Sequence, residues 1–369
     1  MISRMPHYLI YDFKGPRPKA SIFIIAIVSS MKLDGSYGEG GGQILRTAVA
    51  LSAVTGEPVE INNIRKMRPK PGLSAQHVKA VESAAALCDG EVSGCGLHST
   101  SLTFTPGKIK AGTYNVDIGT AGSITLLLQC LMPIALHSPG TVKLNISGGT
   151  DVSWSPTIDY LRFVTLFAFS RMGYDCSIRL ARRGYYPRGC GDVEAVIAPA
   201  KLKRIEFENN ACAFVEGISH SSRLPSHVAQ RQASAAQKLL RQEGYEARIA
   251  LENRDDPSTG SGLTLWCGCA GGSALGKPGL SAEKVGILAA EALLAELKSK
   301  AGVDEYLADQ LIPYMALAGG GSFTTGNISL HTRTNIWVTE QFFDVKFNIQ
   351  EPGTGLFHVY VLDKVNTET

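Results

Sequence analysis

A chain of 369 residues, 44% hydrophobic and 19% charged, carries enough apolar content for one large core or two ordinary ones, which excludes a disordered or fibrous polypeptide. Its formal charge of +3 comes from residues 1–30, where Arg4, Lys14, Arg17 and Lys19 face Asp12; taking these from 36 basic and 33 acidic residues leaves 32 of each. A body without net charge excludes a protein that coats long nucleic acid by counterion release, yet it leaves room for a local phosphate pocket.

In chain order, the aliphatic run at 22–28 is far shorter than the ~20 apolar residues that span a bilayer, and no A-x-A-type cleavage site follows it. Met31-Lys32-Leu33-Asp34 reads as a natural start, so residues 1–30 are expected to be a non-native or poorly ordered extension. From there a short strand, a small-residue turn, a helix, a strand, a second helix and two strands recur. The first copy predicts a helix at 42–55, a strand at 57–63, a helix at 74–88 and strands near 90–94 and 101–105. The second predicts a helix at 122–136, a strand at 141–147, a helix at 156–172 and strands near 174–180 and 192–198. The starts at Gly38 and Gly119 lie too far apart for a solenoid and point to duplicated units around a common centre. A different block follows over 205–300: a strand, a helix at 226–243, strands at 246–252 and 263–269 with a flexible Asp255 to Gly262 loop between them, and a helix at 281–299. A third unit runs from a helix at 304–318 through a strand at 322–329 and a short helix near 335–342 to strands at 344–349 and 357–362. The expected architecture is therefore α+β, with a large domain over 31–204 and 301–369 and a smaller α/β domain inserted at 205–300.

The eight cysteines show no paired CxxC spacing and read as reduced thiols of a cytoplasmic protein. Cys267 and Cys269 form the one close pair, which alternation on a strand would place on a single face.

Several motifs suit a phosphorylated ligand. Glu39-Gly40-Gly41-Gly42-Gln43 ends a strand and opens a helix, an arrangement equally fit for a ligand loop or a tight turn. Arg65-Lys66-Met67-Arg68-Pro69-Lys70 sets four cations in six residues on a proline-stiffened loop, and in a charge-balanced body this favours a phosphate clamp over a solvated loop. Gln76-His77 opens the next helix. Gln129 interrupts an apolar helix, either to satisfy backbone or to reach a ligand, and Arg188 in Gly184-Tyr185-Tyr186-Pro187-Arg188-Gly189 is equally open between surface and site. His331, alone, is one histidine among eight and has no zinc or protease spacing.

In combination and in this order, EGGGQILR at 39–46, RKMRPKPGL with Gln76-His77, GTAGS with Gln129, SGGTD at 147–151, YLADQ at 306–310 and HTRTN at 331–335 resemble the RNA 3′-terminal phosphate cyclase family across residues 32–363. The resemblance implies repeated βαβαββ units on a scaffold like that of enolpyruvyl transferases. It also implies a ligase that converts an RNA 3′-phosphate to a 2′,3′-cyclic phosphate, with ATP becoming AMP and pyrophosphate. Position by position, it implies His331 as the nucleophile that carries AMP, and Gln129 with Tyr306, Leu307, Ala308, Asp309 and Gln310 as ATP contacts. Tyr306 is suited to packing on adenine, and Asp309 to orienting the histidine or nucleotide. Arg46, Arg65, Arg68 and Gln76 match phosphate-handling positions, and Glu39 is the carboxylate expected nearest a divalent metal, Mg or Mn. The implied partner is an RNA 3′-phosphate end, with no membrane; a homodimer is left open. A non-catalytic relative acting in ribosomal-RNA processing would lack His331. An enolpyruvyl transferase on the same scaffold would leave HTRTN and YLADQ without a task.

Overall fold

The structure is a computed structural model that describes residues 30–362 apart from 211, 353 and 354. Residues 1–29 of the expected extension lie outside the described residues. Mixed helices and several small sheets make an α+β architecture.

The first sheet is built from β1 (Met31–Asp34), β2 (Val59–Asn62), β3 (Glu91–Ser93) and β4 (Leu102–Thr105), with helices α1 (Gly42–Thr55) and α2 (Ala75–Cys88) between the strands. Its order is β1-β2-β4-β3; β1 and β2 run parallel and the other neighbours antiparallel. The next segment holds β5 (Gly112–Asp117), α3 (Ile124–Leu136), β6 (Val142–Gly148), α4 (Ile158–Tyr160) and α5 (Leu166–Arg171), then β7 (Cys176–Arg182) and β8 (Gly191–Ile197). A π-helical turn, Leu161–Thr165, joins α4 to α5. The order β5-β6-β8-β7 repeats the orientation pattern of the first sheet.

Strand β9 (Glu206–Phe207) comes next, followed by β10 (Val215–Ser222), α6 (His227–Gln242), β11 (Ala247–Arg254), β12 (Gly260–Cys267), β13 (Ala270–Leu275) and α7 (Ala282–Ser299). The sheet β11-β10-β12-β13 excludes β9. After it come α8 (Glu305–Leu317), β14 (Ser322–Thr325), α9 (Leu330–Phe342), β15 (Lys346–Gln350) and β16 (Phe357–Leu362). Here β9, which the sequence reading gave to the inserted block, pairs parallel with β14, and the sheet β15-β16-β14-β9 has the same pattern as the first two.

Helices α1, α2, α3, α8 and α9 pack on one another, while α6 and α7 pack together on the β10 to β13 sheet. Every residue of α1 from Gln43 to Ala53 is buried, and eleven of the thirteen in α3 are buried, as expected of helices packed on all sides. Strands β6 and β8 instead alternate between buried and half-buried positions, so one face of that sheet covers the core. Helix α1 ends at Gly56, whose φ of +79° turns the chain while its N–H reaches the Ser52 carbonyl. A second apolar cluster lies under β10 to β13 and α7, and Trp266 of β12 stacks on Phe163 of the π turn with ring centroids 4.3 Å apart.

Three sequence expectations need correction. Strand β13 was missed because Ala270-Gly271-Gly272-Ser273-Ala274-Leu275 is rich in small residues; a Cβ at Gly272 would collide with the Leu293 and Ala289 backbone of α7, so close helix packing dictates glycine there. Gly260 to Gly262, expected in a loop, begin β12. The cysteines are not all reduced thiols: Cys212 is bonded to Cys267 at the end of β12, while Cys269 is buried beyond the turn at Gly268, so no strand presents the two on one face.

A buried ion cluster fastens the second segment to the block at β10 to β13. The Arg183 side chain, fully shielded from solvent, donates to Asp151 (3.1 Å), Asp159 (2.7 Å) and Glu252 (2.7 Å), while its backbone N–H donates to Asp256 (2.9 Å). Removing one member strands the others in a low dielectric. Arg183→Ala is therefore expected to cost about 3–5 kcal/mol, measured as a lower urea midpoint at an unchanged m value.

Candidate active site

Four helices converge on one small, mainly apolar cavity that also carries several polar groups. Gln43, Arg46 and Thr47 of α1, Gln129 of α3, Gln310 of α8 and Asn335 of α9 line it together with Thr165 of the π turn. Prolines occur inside α3 and α8, at Pro133 and Pro313, where each removes the N–H that the carbonyl four residues earlier would have bonded. At Pro313 that carbonyl belongs to Asp309, and it accepts instead from the Asn335 carboxamide at 2.8 Å; Asn335 in turn accepts from the Thr47 hydroxyl at 2.8 Å. One side chain thus ties α9 to both α8 and α1.

Helix α9 begins at Leu330, earlier than the sequence reading placed it, because the Ser329 hydroxyl caps it by accepting from the Thr332 N–H. His331 therefore occupies the first helical turn and is solvent-accessible, while Thr332, Thr334 and Asn335 are buried. The imidazole Nδ1 faces the Glu39 carboxylate at 3.9 Å. Partial burial, then the Arg46 and Arg68 cations, hold the His331 pKa below its ordinary value despite the opposing Glu305 charge, so the ring is neutral near pH 7. The positive end of the α9 dipole acts in the same direction.

The glycine loop docks on α9. Tyr37 stacks on Trp337 with centroids 4.1 Å apart, and the Glu39 N–H donates to the Thr334 hydroxyl at 3.4 Å. Glycine at 42 is a packing requirement, since a Cβ there would strike His77 Nε2 and the Arg46 guanidinium. His77 Nδ1 accepts from the Ser74 N–H at 3.2 Å, which leaves the ring proton on Nε2, facing Gly42. Burial, with Arg46 and Arg65 nearby, lowers its pKa to about 3.

The cations occupy distinct positions. Arg46 is buried; its Nη2 donates to Gln43 at 2.8 Å, and its Nε has no protein partner. Burial pulls its pKa down to about 10, a sign of a charge with too little compensation. Arg68 is ion-paired with Glu39. Arg65, at φ +54°, donates back to the Gly72 carbonyl at 2.8 Å and closes its own loop, while Gln76 accepts from the Ser123 N–H at 2.9 Å and joins α2 to the 119–123 turn.

On α8 the expected nucleotide segment divides. Tyr306 presents an exposed ring on the first turn, Leu307 and Ala308 are fully buried in the core, and burial pushes the Asp309 carboxyl up to about 8 even with Arg46 beside it. Gln310 spends its amide internally, accepting from Thr165 at 3.1 Å and donating to the Tyr306 carbonyl at 2.8 Å. Asn335 and Thr47 carried no signal of a bridging role in the sequence; a polar residue four positions past His331 on a helix was the single available hint.

Among the described residues no group of three His, Cys, Asp or Glu could hold a metal by itself, and no helix is long and apolar enough to cross a membrane. The family model for RNA 3′-terminal phosphate cyclase matches residues 37–349. Relatives carrying that name include proteins of Methanosarcina acetivorans, 56% identical over 90% of this chain and 99% of the relative, and Methanococcoides burtonii, 58% identical over 86% and 96%. A third, from Archaeoglobus fulgidus, is 48% identical over 86% of this chain and 97% of its own length.

Two outcomes are expected. Arg68→Ala removes a cation and frees the Glu39 carboxylate, so the His331 pKa should move up, as read from its ring resonances across a pH titration. Asn335→Ala leaves the Asp309 carbonyl and the Thr47 hydroxyl without their partner and should cost about 1–3 kcal/mol in chemical denaturation.

Proposed function

The chain belongs to the RNA 3′-terminal phosphate cyclase family, and on that premise we propose that it converts an RNA 3′-phosphate to a 2′,3′-cyclic phosphate with ATP as co-substrate, through AMP carried on His331. The observation that carries this reading is a neutral histidine on a helix N-terminus, with the buried Arg46 lacking a partner for Nε and contributing to the field on the ring. A buried unpaired guanidinium donor is a ready partner for phosphate oxygens, and the helix N-terminus adds its own N–H groups.

The steps follow from charge and geometry. With Nδ1 turned to Glu39, the His331 Nε2 lone pair attacks the α-phosphorus of ATP; the bond from that phosphorus to the bridging oxygen breaks and pyrophosphate leaves. Arg46 and Arg68 offset negative charge that develops on the phosphoryl oxygens. An oxygen of the RNA 3′-phosphate then takes AMP and restores the free imidazole. The adjacent 2′-hydroxyl attacks the activated phosphorus, loses its proton and expels AMP, a step made easy because both groups share one ribose. We assign Gln129 to the ATP contacts at the edge of the small cavity, and Gln310, whose amide is held by Thr165 and Tyr306, to shaping that wall; the Tyr306 ring suits adenine stacking. Leu307 and Ala308 would act through the packing of α8. Arg65 and Gln76 would hold the phosphate-facing loops in shape through their bonds to Gly72 and Ser123.

The donor set fits a divalent ion that arrives with the triphosphate, since Mg keeps several waters and needs only one or two carboxylates from protein. Glu39 is the carboxylate we assign to Mg or Mn, exchanging its pairing with Arg68 for the ion; once bound, the ion supplies charge neutralisation for the departing pyrophosphate. We also read the three sheets of shared strand pattern as copies of one βαβαββ unit. Residues 31–204 and 301–369 then make the catalytic part, and the block after β9 interrupts the third copy.

Incubation with α-labelled ATP and divalent metal is expected to leave an acid-labile label on the protein, lost in His331→Ala. The yield should stay level from neutral pH down through the ordinary histidine range and fall only at lower pH, as the ring protonates. A label that persists without His331 sinks the mechanism.

A further inference from the structure

Two of the most exposed aromatic residues among those described lie on adjoining loops. Trp154 is 99% exposed and Tyr186 is 78% exposed. Trp154 also adopts φ +66°, a left-handed conformation that a large side chain rarely takes. Isolated exposed aromatics are ordinary, but two on loops that are bridged to each other call for a reason.

The loops are joined by the backbone. Asp151 and Tyr185 form a parallel bridge, which places the 151–156 loop against the 185–189 turn. The Pro156 carbonyl accepts from the Thr125 hydroxyl at 2.8 Å, and one helical turn further along α3 stands Gln129, in the cavity wall. On the other flank, Gly189 packs against Thr120 and Ala121, in the turn whose Ser123 N–H bonds Gln76. Both aromatics thus hang from loops that also support the phosphate-facing region, at its edge rather than inside it.

The charge on this edge is positive where it is free. The Arg188 guanidinium donates to the Pro257 carbonyl at 3.0 Å, and no carboxylate among the described residues pairs with it. Arg223 donates to the same carbonyl at 3.4 Å while pairing with Asp255. The nearest acid on the loop, Asp151, is neutralised internally by Arg183. Exposed rings beside cations are the means by which proteins hold single-stranded nucleic acid without reading its sequence, since bases stack on the rings and the backbone lies along the charges.

We propose that Trp154 and Tyr186, with Arg188, form a base-stacking platform for the RNA strand that leads to the 3′-phosphate. The inference rests on the cyclase reading for the identity of the strand, but not on His331. It assigns affinity for RNA to residues that touch neither ATP nor the reacting atoms.

The test is tryptophan fluorescence of the full chain titrated with a short 3′-phosphorylated oligoribonucleotide, without ATP. Stacking on Trp154 is expected to quench the emission, and the quench should vanish in Trp154→Phe, which retains Trp266 and Trp337. Trp154→Ala and Tyr186→Ala should each raise the KM for the oligonucleotide about tenfold and leave labelling of the protein by ATP unchanged; Trp154→Phe should restore most of the KM. Absence of a quench, or a quench that persists in Trp154→Phe, overturns the platform, as does an unchanged KM in both alanine variants. Loss of the covalent label in the unsubstituted protein would instead count against the cyclase mechanism, and the fluorescence titration would still decide the platform.

Discussion

The Asn335 carboxamide joins α1, α8 and α9 because Pro313 leaves the Asp309 carbonyl without its helical donor. A free buried carbonyl is costly, so a partner from outside the helix is demanded, and Asn335 is the group that reaches it. The consequence for chemistry is rigidity. His331 stands one turn before Asn335 on the same helix, so fixing Asn335 fixes the face on which the imidazole is presented. Thr334, beside Asn335, then receives the Glu39 N–H, and the glycine loop inherits its place from the same anchor. The in-line attack on phosphorus proposed for His331 depends on such positioning.

Electrostatics set the protonation state within that frame. Arg46 lies in the centre of the molecule with incomplete compensation, and it depresses both His77 and His331 while facing Asp309. A neutral imidazole is the nucleophilic form, and in the mechanism proposed above the cations close to it also stabilise the phosphate. The same charge therefore serves two ends. It carries a cost in desolvation that an anionic ligand would relieve, which ties ligand binding to the stability of the core.

The Arg183 cluster plays a different part. It buries one cation between two acids of its own segment, Asp151 and Asp159, and Glu252 of β11, and so locks the block at β10 to β13 against the second sheet segment. Arg183, Asp151 and Asp159 are shielded from solvent, and Arg183 loses Glu252 and Asp256 if the block moves. Asp151 stands at the end of the strand and loop that carry Trp154, so the position of the exposed rings follows from the buried pairing beneath them.

Sequence alone determined most of the element order, since periodicity and glycine punctuation are local: α1 at 42–55 and α2 near 74–88 could be placed from residues within each segment. It also carried the family resemblance, through an ordered set of motifs whose members were individually ambiguous, and with it the proposal for His331. Strand β13 escaped because its small residues answer to the approach of α7, a contact distant in sequence, and the pairing of β9 with β14 was not legible because two residues carry no pairing information. The disulfide, the Arg183 cluster and the Asn335 bridge were likewise invisible. Each joins groups whose partners lie tens to hundreds of positions away, and nothing in a one-dimensional spacing ranks one such pairing above another. Tertiary packing decided them by bringing unsatisfied donors, acceptors and charges into a dry interior where only mutual pairing was affordable.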